Sequence, residues 1–128
     1  MTAPPTGFDP PALVDSAIVV EIDRAIGRDA LAGLVYRHLD GVARALELVE
    51  GWCASGQWTE VRREAHRLKG SAATLGFVRL SELWVDVESR SARAESADVR
   101  RLVARIRAVH LELRGWAASR FTTGIGAA

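Results

Sequence analysis

From Val99 to Trp116 the large apolar residues fall at Val99, Leu102, Ile106, Val109, Leu113 and Trp116, in steps of three and four without a break. That spacing gathers them on one side of a helix and would scatter them over both faces of a strand. A helix with one apolar stripe has to bury it against other elements. Three further segments supply helices of the same kind. The first of these, capped by Asp29 and running to about Cys53, carries Leu31, Val35, Val42, Leu46, Val49 and Cys53. Gly33 and Gly41 each cost about 1 kcal/mol there, so packing has to hold that helix together. The next runs from about Trp58 to Leu75 with Val61, Ala65, Leu68, Ala72 and Leu75 as its stripe, and Gly76 is placed to stop it in a left-handed conformation. The third runs from about Val78 to Arg90, with Leu80, Leu83, Trp84 and Val87 facing inward. Ser55-Gly56 reads as a turn and Ser91 to Ala97 as a loop, after which Ser96 or Asp98 caps the last helix, ending near Ser119.

All four prolines lie between Met1 and Pro11, which makes residues 1–8 a loose lead-in. Asp9 before Pro10 suits the start of a helical segment that breaks near Asp15-Ser16, continues to Ile26 and stops at Gly27. Its Leu13, Ile18, Ile22 and Ile26 suit a helix lying across others. The β-branched run Ile18-Val19-Val20 gives a short strand as the competing reading, with no partner strand elsewhere to support it. The expected fold is therefore all-α, an antiparallel up-down-up-down four-helix bundle with the N-terminal helical segment across one end. One domain is expected over residues 9–120, with a tail over 121–128.

Composition narrows the function classes. The 128 residues, 48% of them hydrophobic, suffice for a single core, and 17 basic against 16 acidic residues leave no broad basic surface for nucleic acid. Cys53 is the one cysteine, so no disulfide can form within the chain. Neither a signal peptide nor a membrane-spanning run is visible, which leads to the expectation of a cytoplasmic protein. No Gly-rich phosphate loop, paired-carboxylate signature or acidic cluster suited to a metal appears.

The chemistry concentrates between Ala65 and Gly76. His66, Lys69, Gly70 and Ala73 stand at i, i+3, i+4 and i+7, on a helical face separate from the Val61 to Leu75 stripe. An imidazole is the side chain best able to be a neutral nucleophile near neutral pH, and it has to be exposed to act. A nearby ammonium at Lys69 can balance negative charge gathering on a transferring phosphoryl group. Gly70, one turn on, leaves room beside the ring for that group and for its carrier, at a cost of about 1 kcal/mol in mid-helix. Lys69 is also the sole lysine against an arginine background. Either the position tolerates only a compact ammonium, or one lysine fell there by chance. A lone histidine is most often an ordinary surface residue, but in register with Lys69, Gly70 and Gly76 the functional reading prevails.

The run Ala65-His66-Arg67-Leu68-Lys69-Gly70, closed by Gly76, resembles the motif of histidine-containing phosphotransfer (HPt) domains, four-helix-bundle phosphocarriers of two-component phosphorelays. The resemblance extends from about Asp9 to Arg114. It implies that His66 is the phosphoacceptor and that Glu88, in the neighbouring helix, accepts a hydrogen bond from its Nδ1, which leaves Nε2 to be phosphorylated. The competing reading of Glu88 is a surface carboxylate paired with Arg90 or Arg93. By the same resemblance the partners are response-regulator receiver domains and a hybrid histidine kinase, any Mg2+ belongs to the receiver, and the chain is a monomeric carrier that needs no cofactor. Exposed apolar residues around Ile18 and Val19 would add a docking patch.

Arg62, Arg67, Ala73 and Arg79 are the candidate partner contacts; a solvated charged face is the bland reading of the arginines. Trp52, Trp58, Trp84 and Trp116 read as fillers of the core ends, and His38 and His110, without a matching lysine and glycine, as structural or surface residues. Two other classes share this architecture: a bundle that docks on a receiver or kinase without being phosphorylated, and a histidine-kinase dimerisation domain, which would be an obligate dimer.

Overall fold

The computed structural model describes residues 12–122, and within them five helices follow one another. These are α1 (Ser16–Ile26), α2 (Arg28–Ala54), α3 (Trp58–Thr74), α4 (Val78–Ser91) and α5 (Ser96–Phe121). The expected helix start at Asp9-Pro10 lies outside the described residues. What the structure does contain is the break near Asp15: its carboxylate accepts from the backbone N–H groups of Ala17 at 3.0 Å and Ile18 at 3.4 Å, so α1 begins at Ser16. Such a cap contributes about 1 kcal/mol. The β-branched run Ile18-Val19-Val20 is helical, with Val19 turned into the core, which removes the strand reading.

Two expected caps are corrected. Gly27, at φ +90°, ends α1 by donating to Asp23 O at 2.8 Å and opens α2 by accepting from Leu31 at 3.0 Å. Its positive φ lets one helix follow another with no spacer, so Asp29 falls in the first turn of α2 instead of capping it. At α5 the N-cap position belongs to Glu95; Ser96 is already helical, and Asp98 pairs with Arg90 and Arg101. The helix also continues past Ser119 to Phe121. That ring stands edge-on to Trp116 at 5.9 Å, and Arg28 holds the end by donating to Arg120 O at 2.6 Å.

α3 packs on α4, α4 on α5, α5 on α2 and α2 on α3, while α1 lies on α2. The cross-helix pairs run in opposite sequence directions. Between α2 and α5, Asp40 meets Arg114 and Glu50 meets Arg107, each at 2.7 Å. Between α4 and α5, Arg79 meets Glu112 and Arg90 meets Asp98. The stripes read from the sequence converge on one core, with Val35, Val42, Val61, Ala65, Leu80, Val87, Ile106 and Leu113 all within 1% of full burial. Trp116 sits at its margin, half-buried with Trp52 and Trp58, whereas Trp84 is fully enclosed.

The turn between α3 and α4 is the tightest joint. Gly76, at φ +79°, lets Phe77 donate back to Ala72 O at 2.9 Å and drop its ring wholly into the core. α1 closes over this turn: Asp15 N–H donates to Gly76 O at 2.7 Å. A Cβ on Gly76 would stand 3.0 Å from Asp15 O and 3.2 Å from Ile18 Cβ. Glycine is thus required twice, by its dihedral and by the neighbour it admits. No helix among the described residues is long and apolar enough to cross a membrane.

Candidate functional site

The α3–α4 pair carries the site. Because Val61, Ala65, Leu68, Ala72 and Leu75 all turn inward, the face with His66, Lys69, Gly70 and Ala73 turns outward. The His66 side chain is 66% exposed, while the Lys69 side chain is only 31% exposed because it leans towards α4.

Glu88 on α4 stands between them. His66 Nδ1 lies 2.9 Å from Glu88 Oε2, and Lys69 Nζ donates to Glu88 Oε1 at 3.0 Å. Burial pushes the Glu88 carboxyl up, but the hydrogen bonds from Lys69 and His66, with the charges behind them, outweigh it and hold the group below the usual carboxylate range. An ionised carboxylate only accepts, so the hydrogen between the residues belongs to Nδ1, and the neutral ring carries its lone pair on Nε2. The arrangement can therefore present an exposed nitrogen nucleophile with a fixed tautomer. Arg90 and Arg93, the other partners considered for Glu88, pair instead with Glu95. Ser81 ties the two helices together at this level by donating to Lys69 O at 3.1 Å.

Gly70 is exposed, and a Cβ built on it meets nothing within 4 Å, so the surface beside the imidazole is open. Ala73 continues that open strip.

The arginines separate. Arg62, one turn before His66, is exposed and has no ion-pair or hydrogen-bond partner among the described residues. Arg67 is held by Glu64 through two bonds of 3.2 and 2.7 Å, and that hydrogen bonding raises its already high pKa. Arg79 is brought to Glu112 of α5, nine residues from Glu88 and hence ~13 Å along α4, so it does not join the His66 cluster. Of the docking patch expected around Ile18 and Val19, Val19 is withdrawn into the core at 2% exposed and Ile18 packs over Gly76, since this is the side by which α1 grips the bundle, while the neighbouring Val20 is 38% exposed.

His38 and His110 are both buried between helices. His110 Nε2 contacts Leu39 O at 2.9 Å, whereas His38 Nε2 has no partner and its ring lies 5.7 Å from Phe77. Burial, then the charge of Arg67 and then His110, lowers the His38 pKa to about 4. Among the described residues no group of three or more His, Cys, Asp or Glu is arranged to hold a metal ion.

A helical fold with an exposed, carboxylate-oriented histidine defines a class, and the sequence model of the Hpt domain family matches residues 29–116. The chain belongs to that family, whose members carry phosphoryl groups on histidine in phosphorelays. Among solved structures it is similar to histidine-containing phosphotransfer protein B (HptB) from Pseudomonas aeruginosa PAO1, with a TM-score of 0.79 at 16% identity over 85% of this chain and 94% of that one. At that identity the likeness is one of fold. No curated protein matches the chain in sequence.

Proposed function

We propose that the protein is a phosphorelay intermediate that takes a phosphoryl group from the aspartyl phosphate of one receiver domain and passes it to the aspartate of another. The Nε2 lone pair of His66 attacks phosphorus, the N–P bond forms, and the P–O bond to the aspartate breaks with its electron pair leaving as carboxylate. The second transfer runs the same exchange in reverse onto a new carboxylate. Glu88 orients the ring, Lys69 balances charge on the phosphoryl oxygens, and Gly70 leaves the approach open. Arg62, Arg67 and Ala73 meet the partner, with Arg79 an outlying contact. Mg2+ comes with the receiver.

The single observation behind this reading is the 2.9 Å contact between His66 Nδ1 and Glu88, which leaves Nε2 as the free nitrogen. The same reading takes the fold as an up-down-up-down bundle forming one domain over residues 9–120, monomeric and cytoplasmic, with a hybrid kinase as a further partner. Incubation with a panel of radiolabelled phospho-receivers tests it. Acid-labile label on the wild type and none on His66→Gln is expected. Absence of label with every receiver would leave a docking module in place of a carrier.

A further inference from the structure

Between α2 and α3 lies a groove of about 310 Å³, at the lower end of the about 300–1,000 Å³ that small-molecule sites occupy. Neither His66, Lys69 nor Glu88 lines it. Its apolar lining is Ala45 and Leu68, both buried, with Leu48 at the exposed rim. Three guanidinium groups stand around it, Arg37 and Arg44 from α2 and Arg67 from α3. The carboxylate on this wall, Glu64, has both oxygens taken by Arg67, at 3.2 and 2.7 Å. Asp40, which falls between the α2 arginines in sequence, pairs with Arg114 of α5. Arg37 and Arg44 are exposed and have no hydrogen-bond or ion-pair partner among the described residues, so they face the groove as uncompensated charges. They share one line of α2 with Gly41, and a Cβ built on Gly41 would lie 3.9 Å from Arg44 Nη2. The Arg44 guanidinium thus folds back over Gly41, towards Arg37.

His38 closes the inner side. It is 9% exposed, and neither ring nitrogen makes a hydrogen bond among the described residues; Nε2 is the enclosed one. Buried polar side chains are ordinarily satisfied, as His110 is by Leu39 O. The His38 ring is held neutral by burial first and then by the charges of Arg67 and His110, which no unpaired carboxylate on the groove offsets.

We propose that this groove binds a small organic phosphate, with the phosphate over Gly41 between Arg37 and Arg44 and the apolar body on Leu48 and Leu68. Charge and geometry select the phosphate. Guanidinium groups meet phosphate oxygens through paired N–H donors, and two uncompensated ones balance a dianion, where a carboxylate would leave one charge over. Gly41 lets the oxygens come close to α2, and the Nδ1 side of His38, which is not enclosed, supplies a further donor from the neutral ring. The lining selects the organic body: a phosphate ion alone fills only part of the groove and leaves its apolar wall in water. The inference does not rest on the phosphotransfer reading, and its test needs no receiver.

The test titrates the 15N-labelled full chain at constant ionic strength with phenyl phosphate, inorganic phosphate, phenol and sodium sulfate, followed by NMR. Phenyl phosphate should give saturable shifts at the groove residues at millimolar concentration or below, with inorganic phosphate at least tenfold weaker and phenol inactive. The pKa of His38, read from its ring nitrogens, should rise in the complex, because a dianion beside the ring favours the imidazolium. Arg37→Gln with Arg44→Gln should weaken binding tenfold or more. Gly41→Leu, which fills the groove from α2 while favouring the helix, should do the same, and neither change should lower Tm. Arg105→Gln, at an exposed and unpaired arginine of α5, controls for net charge and should stay within twofold of wild type. No saturable shift with phenyl phosphate, an unchanged His38 pKa, or binding within twofold of wild type in both groove variants overturns the proposal. Inorganic phosphate binding as tightly as phenyl phosphate overturns the organic body, and equal shifts with sulfate reduce the effect to screening and overturn the site.

Discussion

Gly70 separates the demands of stability from those of function, because the two point in opposite directions there. The residue sits in the middle of α3, exposed, and a Cβ on it meets no atom within 4 Å. Replacing it by alanine removes the entropy penalty of a mid-helix glycine and introduces no clash, so Gly70→Ala should stabilise the protein by about 1 kcal/mol. For a chain of this size that corresponds to roughly 3–5 °C in Tm. The added surface lies one turn from His66, where Cβ atoms are about 5–6 Å apart, so a larger side chain intrudes where a receiver would bring its phosphoryl group. Gly70→Leu should therefore keep the wild-type Tm or exceed it while kcat/KM for transfer from a phospho-receiver falls tenfold or more. Loading by phosphoramidate should fall far less. The assay is a thermal melt followed by circular dichroism, alongside transfer kinetics with both donors. A lower Tm for Gly70→Ala refutes the reading of an unobstructed helical face. Wild-type kcat/KM for Gly70→Leu refutes the idea that the gap serves the partner.

Gly76 predicts the reverse. Gly76→Ala adds strain at φ +79° and drives a Cβ to 3.0 Å from Asp15 O, so a loss of about 2 kcal/mol or more is expected in urea unfolding; a loss below about 0.5 kcal/mol would contradict it. His38 gives a pH dependence. Its pKa of about 4, against 6.5 for the free side chain, means that the unfolded chain binds this proton first. Stability is fully present above pH 6.5 and is lost as pH falls towards 4, by about 3 kcal/mol at most. Urea unfolding of His38→Gln at pH 7 and pH 4.5 should show a shallower decline than wild type, and parallel declines would refute the assignment.

The helices were legible because their apolar spacing repeats over many residues: every stripe position on α3, from Val61 to Leu75, is buried. The starts at Trp58 and Val78 fell where expected, but the caps at the N-terminal ends of α2 and α5 were not legible, since α2 to α5 all begin without a side-chain cap. At Gly27 the backbone dihedral alone separates two helices, and at α5 the nearby Asp98 is drawn off by Arg90 and Arg101. Gly76 was legible as a helix stop, but its second role, admitting Asp15 and Ile18, depends on a contact across about sixty residues that no local pattern encodes. Within the site, His66, Lys69 and Gly70 follow from helical periodicity. The contact with Glu88 could come only from resemblance, since it depends on the register between α3 and α4.

Glu88 receives two donors on two oxygens, and this allows its roles to be pulled apart. A carboxylate can serve His66 and Lys69 at once, one on each oxygen; an amide keeps a single accepting oxygen, so with the two donors on separate oxygens it serves one of them in this geometry. Glu88→Gln should therefore retain part of the orientation of His66, and Glu88→Ala none. The quantity that moves is the tautomer: the fraction of neutral His66 with hydrogen on Nδ1, read from imidazole nitrogen shifts in NMR, should fall from wild type to Gln to Ala. Transfer rates should fall in the same order, because only the Nδ1–H form leaves its lone pair on Nε2. A tautomer ratio unchanged in Glu88→Ala would show that the 2.9 Å contact does not set the ring, and a changed ratio with wild-type transfer would show that orientation does not limit the chemistry.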